Sequence, residues 1–373
     1  MANILDYLDW RGDIPFSVSP FNEIDGLLLS EFGYTPLEGI VPQGFSLRVS
    51  LRTAWEQFHS EQVDEKRRIL TFEQDTALFE KLASSVRFGE TLLTGYVTQL
   101  DEETQFSVLT CFLEDGSTFV AFRGTDNTLV GWKEDMNLSY MQETGSQTIA
   151  KTYLNTHFRN HPRPIRVGGH SKGGNLAVYA ASFCDAPVRS RIVSIQTYDA
   201  PGFREEIVDT PEYREILPRV ESFIPESSVV GLLLNNPAEH TIVKSTASGI
   251  MQHLAFSWEV LRDHFVQTEE VSRSGNLLNK AVTNWISQFE DEERRQLIES
   301  VFGVLEASEA DTFREIQQSR RKSYPAMLRA IRNLTPEQQR LLKNALIGMA
   351  KSGADAVRGD NPDKNAKPKP AEG

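Results

Sequence analysis

A serine enclosed by small residues stands in the stretch PIRVGGHSKGGNLAVYAA, residues 164–181. Gly169 and Gly173 flank Ser171 in the pattern G-x-S-x-G, which is typical of a sharp strand-to-helix turn that presents a serine nucleophile. The positions two before and two after the serine must be small, because the turn brings backbone close to both. An apolar run precedes the motif and an alanine-rich run follows it, so the pattern predicts a nucleophilic Ser171 between a buried strand and a helix.

The same turn has a second interpretation. A glycine-rich loop between a strand and a helix can bind a phosphate on the free N–H groups of the helix N terminus, without any nucleophile. We favour the nucleophile because Gly169 and Gly173 stand where such a turn needs them, and because Gly174 lets the helix start close to the sheet.

A serine nucleophile also needs hydrogen-bond donors for the charge that develops on the substrate oxygen. The N–H of Lys172, directly after the serine, is the expected first donor, and we expect the lysine side chain to be solvated. A second donor normally comes from a loop after an earlier strand. The segment FVAFRGTDNTLVGWKEDMN, residues 119–137, has that form, since an apolar run leads into RGT and then into a W-x-x-D spacing.

These segments together resemble a known family. AFRGT with W-x-x-D downstream, followed by a helix, a strand and GHSKGG, resembles the class 3 lipase branch of the α/β-hydrolases over about residues 90–260. More closely, the chain resembles an uncharacterised bacterial lipase-like family whose members open with a segment like NILDYLDWRGD and carry a region like IVKSTASGIMQH. The resemblance implies that Thr125 donates to the oxyanion by its N–H, with its hydroxyl as a second candidate. An ordinary turn at RGT is the alternative.

The resemblance also implies a histidine base that follows the serine and the acid in the chain. We expect His170, inside the motif, to pack away from the serine hydroxyl. His253 follows TIVKSTASGIMQ, which predicts a last strand and a loop, and FSWEVL beyond it predicts the start of a helix. His253 is therefore the predicted base. One alternative is that His240 is the base, and another is that His253 is a surface histidine without function. The remaining histidines are His59, His157, His161 and His264.

The acid is less directly indicated. Class 3 lipases carry an aspartate in a loop after the next-to-last strand, but the equivalent loop here, IPESSVVG, has none. Asp199, in QTYDAPGF, ends the strand after the motif helix, and Glu226 lies in the expected loop itself. An acid only has to orient the imidazole and stabilise its charged form, so either carboxylate could serve. We predict Asp199; a helix cap before Pro201 and a solvated Glu226 are the functionless alternatives.

Strands and helices alternate through the middle of the chain, which predicts an α/β fold with a mostly parallel sheet covered on both faces. With the motifs, this predicts an α/β-hydrolase core at 61–268, preceded by an N-terminal extension, 1–60, that packs on it. Amphipathic helices predict a helical region at 269–352, and the polar residues 353–373 predict a disordered tail. The predicted strands are 94–101, 105–114, 117–124, 164–169, 191–202, 219–225 and 241–245.

The composition excludes several function classes. A net charge of −13 disfavours a nucleic-acid partner, because phosphate binding needs a basic face. No stretch of about 18 apolar residues occurs, so we expect no membrane span. Acidic residues stand where a signal peptide needs positive charge, and the two cysteines, Cys111 and Cys184, have no metal-binding or redox spacing. We expect a cytoplasmic protein that needs neither metal nor cofactor.

The sequence thus predicts a serine hydrolase that cleaves a small acyl ester or a lipid through an acyl-enzyme on Ser171. An acyltransferase with the same residues is one alternative. A non-catalytic binding or scaffold protein is the other, because the acid of class 3 lipases is missing from its usual loop. The segment FREEIVDTPEYREILP, residues 203–218, predicts either a lid or a crossover helix between two strands.

Overall fold

The computed structural model describes residues 1–58, 71–126 and 128–359. Its central feature is an eight-stranded sheet in which the strands lie in chain order. The first four strands pair antiparallel and the last five pair parallel, which makes this an α/β fold. The strands are β1 (Val49–Ser50), β2 (Leu92–Leu100), β3 (Gln105–Phe112), β4 (Thr118–Phe122), β5 (Ile165–His170), β6 (Ile192–Tyr198), β7 (Val220–Pro225) and β8 (His240–Val243).

The α-helices are distributed before, between and after the strands. They are α1 (Ile4–Arg11), α2 (Glu23–Phe32), α3 (Leu51–Gln57), α4 (Phe72–Ser84), α5 (Leu129–Asn137), α6 (Gly145–Phe158), α7 (Lys172–Phe183), α8 (Ala186–Arg189), α9 (Glu205–Val208), α10 (Pro211–Ile216), α11 (Arg273–Ile286), α12 (Asp291–Glu306), α13 (Phe313–Gln318), α14 (Arg320–Asn333) and α15 (Pro336–Gly359). Several begin with a side-chain cap: the amide of Asn22, for example, accepts hydrogen bonds from the first turn of α2.

One layer of helices follows from the strand order. Crossovers between parallel strands are right-handed, so strands added in one direction place all their connecting helices on the same face. α6, α7 and α10 accordingly pack side by side on that face. The side chains that alternate toward them, such as Val120 and Phe122 of β4, form one apolar core with Leu154 and Leu176. The segment 203–218 forms α9 and α10 in the β6–β7 connection, so the crossover interpretation is confirmed.

The N-terminal helices cover the opposite face of the sheet. α2 contacts β4, β5 and β6, and every residue of this helix after Glu23 is buried. Phe119 and Ala121, which alternate with the residues facing the other layer, join the core beneath it. Residues 1–58 therefore supply part of the layer on this face, and α4 and the segment around Trp258 supply more of it. The predicted boundary at residue 60 lies outside the described residues.

A buried ion pair ties α2 to the chain after α4. Arg87 and Asp25 have side chains with no exposed surface, and the guanidinium also donates to the carbonyl oxygens of Ile14 and Ser19 at 3.0 Å. We expect Arg87→Met to lower the free energy of unfolding by about 3–5 kcal/mol, because it leaves the Asp25 carboxylate buried without its partner. Urea denaturation measures this change.

The exposed pair of Arg52 and Glu90, 3.0 Å apart, offers the matched control. Arg52→Met should cost less than about 1 kcal/mol, because water screens a surface pair. An equally small loss for Arg87→Met would contradict the role given to the buried pair.

The secondary structure agrees with most of the sequence predictions. All seven predicted strands are confirmed as β2 to β8, and the alanine-rich run after Ser171 forms α7. The helix predicted at FSWEVL is wrong: this segment forms a 3₁₀ turn, Ala255–Ser257, and a short strand β9 (Val260–Leu261), which pairs with β10 (His264–Phe265). The reason is the fully buried Trp258, whose indole N–H donates to the carbonyl of Gln252 at 2.8 Å and holds the chain in a tight turn.

The C-terminal region is helical, as predicted, from α11 onward. Ile298 and Phe302 of α12 pack with Ile316 of α13 against Leu129, the first residue of α5. The N–H of Leu129 also donates to the carbonyl of Asp311 at 2.9 Å. The last helix, α15, continues to Gly359, past the predicted start of the tail at 353. Residues 360–373 of that predicted tail lie outside the described residues.

Candidate active site

Ser171 lies in a strained turn between β5 and α7. Its backbone has φ 56° and ψ −133°, a conformation that side-chain-bearing residues rarely adopt. A Cβ on Gly169 or on Gly173 would lie 2.5 Å or 2.0 Å from the carbonyl oxygen of Phe122, so both positions require glycine. α7 begins at Lys172, and the first N–H groups of a helix have no partner within it. The turn thus places the hydroxyl at a helix N terminus, as the sequence predicts.

His253 lies between Ser171 and Asp199. Its Nε2 is 3.1 Å from the Oγ of Ser171, and its Nδ1 is 2.6 Å from Oδ2 of Asp199. A carboxylate only accepts hydrogen bonds, so Nδ1 carries the proton and Nε2 is left to accept one from the serine. This order of groups is the one that lets an imidazole act as a general base toward a hydroxyl. The three residues predicted from the sequence therefore lie in hydrogen-bond contact.

Asp199 follows β6 and is almost fully buried. Its Oδ1 accepts hydrogen bonds from the hydroxyl of Ser228 at 2.5 Å and from the N–H of Gly231 at 3.0 Å. Burial raises the pKa of Asp199, but the hydrogen bonds from His253 and Ser228 and the charge of His253 outweigh it and lower the pKa below its ordinary value. The group is therefore a carboxylate at neutral pH. The loop after β7, where class 3 lipases keep their acid, here supplies the donors that hold it.

The alternative residues lie elsewhere. Glu226 contacts the side-chain amide of Gln252 at 3.5 Å, and none of its described contacts is to His253. His240, in β8, accepts or donates a hydrogen bond at 2.9 Å with the hydroxyl of Ser222 on the neighbouring strand. His264 is exposed beside Asp263. His59 lies outside the described residues.

The RGT loop after β4 lies against the serine. A Cβ on Gly124 would lie 3.1 Å from the Cβ of Ser171, which measures how close the two segments come. The hydroxyl of the next residue, Thr125, donates to Oδ1 of Asp135 at 2.7 Å. Burial raises the pKa of Asp135 to about 6, against the lowering effects of Lys172 and of the Thr125 hydrogen bond. The W-x-x-D spacing thus gives α5 a carboxyl that orients Thr125; an oxyanion role for Thr125 and for the N–H of Lys172 stays a prediction.

The side chain of Lys172 is not solvated, contrary to the sequence prediction. Its ammonium is buried and lies 2.8 Å from Oε2 of Glu134 and 2.8 Å from the carbonyl oxygen of Gln105. The same carboxylate accepts from the N–H and the hydroxyl of Ser146, so the buried charges are matched by hydrogen bonds. Glu134 belongs to α5, and the ion pair therefore fixes the motif turn against the helix that follows the RGT loop.

His170 contacts the candidate base, which the sequence did not indicate. The prediction that its ring packs away from the serine hydroxyl misses a hydrogen bond: its Nε2 lies 2.8 Å from the carbonyl oxygen of His253. The two imidazole rings are 4.6 Å apart. Glu31 and Tyr34, from α2 and the turn after it, face the other ring nitrogen. Glu31 and Tyr34 lie far from His170 in the sequence, so no local sequence pattern could predict this contact.

The described ranges contain no cluster of three histidine, cysteine or carboxylate side chains that could hold a metal ion. Within the same ranges, no helix is long and apolar enough to cross a membrane. Cys111 and Cys184 are free and buried.

Comparison with known proteins gives one family and several solved structures. The model of a family described as Mbeg1-like matches residues 82–303, more than half of the chain. The crystal structure of M37 lipase matches at 16% identity and a TM-score of 0.35, over 58% of this chain and 71% of that one. The extracellular lipase LipA from Serratia marcescens matches at 19% identity and a TM-score of 0.30, over 57% of this chain and 41% of LipA. No functionally curated protein matches the sequence.

Proposed function

Since the chain belongs to the Mbeg1-like family, whose matched region contains Ser171, Asp199 and His253, we propose that these residues form the catalytic triad of a serine hydrolase with an α/β-hydrolase core. The single observation that supports this proposal most strongly is the continuous hydrogen-bond chain from the Ser171 hydroxyl through His253 to Asp199. The strained backbone of Ser171 supports it as well, because such strain concentrates at reactive sites.

In the proposed reaction, Oγ of Ser171 attacks the carbonyl carbon of an acyl ester while Nε2 of His253 takes the hydroxyl proton. The N–H groups of Thr125 and Lys172 stabilise the negative oxygen of the tetrahedral intermediate. The imidazolium then gives its proton to the departing alcohol, and the acyl group stays on the serine. Water repeats the sequence, with His253 again as base, and releases the carboxylic acid and the free enzyme. Asp199 stabilises the imidazolium in both halves.

We propose an apolar acyl group for the substrate. Ile250 and Met251, in the turn that leads to His253, are 62% and 44% exposed, and Trp132 and Met136 of α5 are 45% and 44% exposed. Two of them lie in the turn that carries the base, and the other two lie in α5, the helix that follows the RGT loop. Exposed apolar side chains on the segments that supply the base and follow the RGT loop favour a substrate with a hydrocarbon chain, such as a lipid ester.

The test is covalent labelling with a fluorophosphonate. We expect the wild-type protein to gain one adduct, mapped to Ser171, because the probe's phosphorus is attacked by an activated serine. Ser171→Ala should gain none, and Ser84→Ala, which removes an exposed serine hydroxyl, should label like the wild type. Intact mass and peptide mapping measure the adduct. A folded, monodisperse wild-type sample that gains no adduct would show that the site is non-catalytic.

A further inference from the structure

His170 links the candidate triad to the N-terminal layer of the fold. The side chain is only 6% exposed, and its ring lies against that of His253 with the centroids 4.6 Å apart. Its Nε2 is 2.8 Å from the carbonyl oxygen of His253. A carbonyl oxygen only accepts, so this nitrogen carries a proton and donates it to the backbone of the candidate base.

The second ring nitrogen of His170 faces α2. Nδ1 lies 3.2 Å from Oε1 of Glu31, whose side chain is 2% exposed, and 3.3 Å from the hydroxyl of Tyr34. The Tyr34 hydroxyl can donate to Nδ1 or accept from it, whereas a carboxylate only accepts, so pairing with Glu31 requires a proton on Nδ1 as well. With both nitrogens protonated the ring is an imidazolium, and Glu31 balances its charge. Asp199, at the end of β6, also interacts electrostatically with this ring.

We propose that His170 is a positioning residue for catalysis: a buried imidazolium, paired with Glu31, that fixes the main chain of His253 and thereby its ring. The inference rests on the proposed function for its kinetic consequence. Position matters here because His253 lies in a short 3₁₀ turn, Gly249–His253, and not in a long rigid element. Its Nε2 must stay within hydrogen-bond reach of Ser171, and a displacement of about 1 Å is enough to slow an enzyme by about 100-fold.

The proposal also explains why the N-terminal layer belongs to the active enzyme. Glu31 and Tyr34 lie outside residues 82–303, which the family model matches. The nucleophile and its candidate partners lie inside that range, yet the charge that holds His170 comes from α2. The proposed site is therefore incomplete without residues outside the range that the family model matches.

Kinetics of substituted proteins test the positioning role. His170→Leu should lower kcat for a p-nitrophenyl ester by about 10- to 100-fold with KM changed by less than about twofold, because the base is misplaced and the substrate surface is intact. Fluorophosphonate labelling of Ser171 should slow by the same factor. His170→Gln should recover most of the rate, since its amide N–H can still donate to the His253 carbonyl. His240→Leu, which removes a partly buried histidine bonded to Ser222, should leave kcat within about twofold of the wild type.

Nuclear magnetic resonance tests the same proposal without turnover. In the wild-type protein with ¹⁵N-labelled histidine, His170 should show protons on both ring nitrogens at pH 8, and Glu31→Gln should convert it to a neutral tautomer. In His170→Leu, the proton between His253 and Asp199 should shift or broaden, because the His253 backbone has lost its anchor.

Two results would overturn the inference: a neutral His170 in the wild type, or a folded His170→Leu protein with an unchanged His253 proton and an unchanged labelling rate. These outcomes stand apart from failure of the proposed function. A protein that neither labels nor hydrolyses esters would refute the triad chemistry, whereas the resonances of His170 and His253 would still decide whether the contact positions the ring.

Discussion

His253→Ala is expected to lower kcat for short p-nitrophenyl esters by about 10⁶-fold, the size of effect seen when a triad histidine is removed from a serine protease. The reason is that Nε2 of His253 lies 3.1 Å from the Oγ of Ser171 and can take the hydroxyl proton, and no other hydrogen bond to this Oγ is described. The residual rate would come from substrate binding and the oxyanion donors. Steady-state kinetics at several enzyme concentrations measure the loss.

The control for this loss is His240→Ala. His240 is bonded to Ser222 across two strands, and burial lowers its pKa, so it is a neutral side chain held within the sheet. We expect this variant to keep most of the wild-type kcat. The reverse ranking, a slow His240→Ala and a fast His253→Ala, would move the base to His240 and reject the assignment.

Asp199→Asn should keep the fold and lower kcat by about 10⁴-fold, as the same change does in a serine protease. The structure gives the reason in detail. Ser228 and Gly231 both donate to Oδ1, which fixes the amide of an asparagine with its oxygen toward them. The amide N–H₂ then faces Nδ1 of His253, so the imidazole must carry its proton on Nε2, the wrong nitrogen to accept from Ser171. The amide also cannot stabilise the imidazolium.

Glu226→Gln is the matched substitution and should change kcat little, because among the described residues its carboxylate is hydrogen-bonded at 3.5 Å to Gln252 and not to His253. Thermal midpoints measured beside kcat separate catalysis from folding. If Asp199 were only a cap, its replacement would cost about 1 kcal/mol of stability and leave turnover intact. A fast Asp199→Asn enzyme together with a slow Glu226→Gln enzyme would return the acid to the loop after β7.

The parts of the site that could be predicted from the sequence are those with a local pattern. Ser171 stands between two small residues in a motif whose spacing is fixed by steric contact, and the strand and helix around it have the expected periodicity. The order serine, acid, histidine is implied by the resemblance to class 3 lipases, and Asp199 and His253 were then chosen by their places relative to the predicted strands. Their catalytic roles stay predictions until the variants are measured.

The parts that could not be predicted depend on contacts between distant segments. The sequence predicts a solvated Lys172 side chain, and only the folded chain shows it in a buried pair with Glu134. The contact of His170 with Glu31 joins a strand end to a helix far back in the sequence. The error at FSWEVL has a similar cause, because the burial of Trp258 overrides the local helical pattern.

The two-sided covering of the sheet has a consequence for biosynthesis. Glu23, at the start of α2, accepts a hydrogen bond from the N–H of Phe265, 242 residues later in the chain. At about 5–20 residues per second, a ribosome needs roughly 10–50 s to make that interval. Until β4, β5 and β6 have been made, the leucines of α2, in a helix too short to be stable alone, have no sheet to cover. The early nascent chain is therefore expected to need shielding by a chaperone, and the candidate triad to assemble only when synthesis has passed His253.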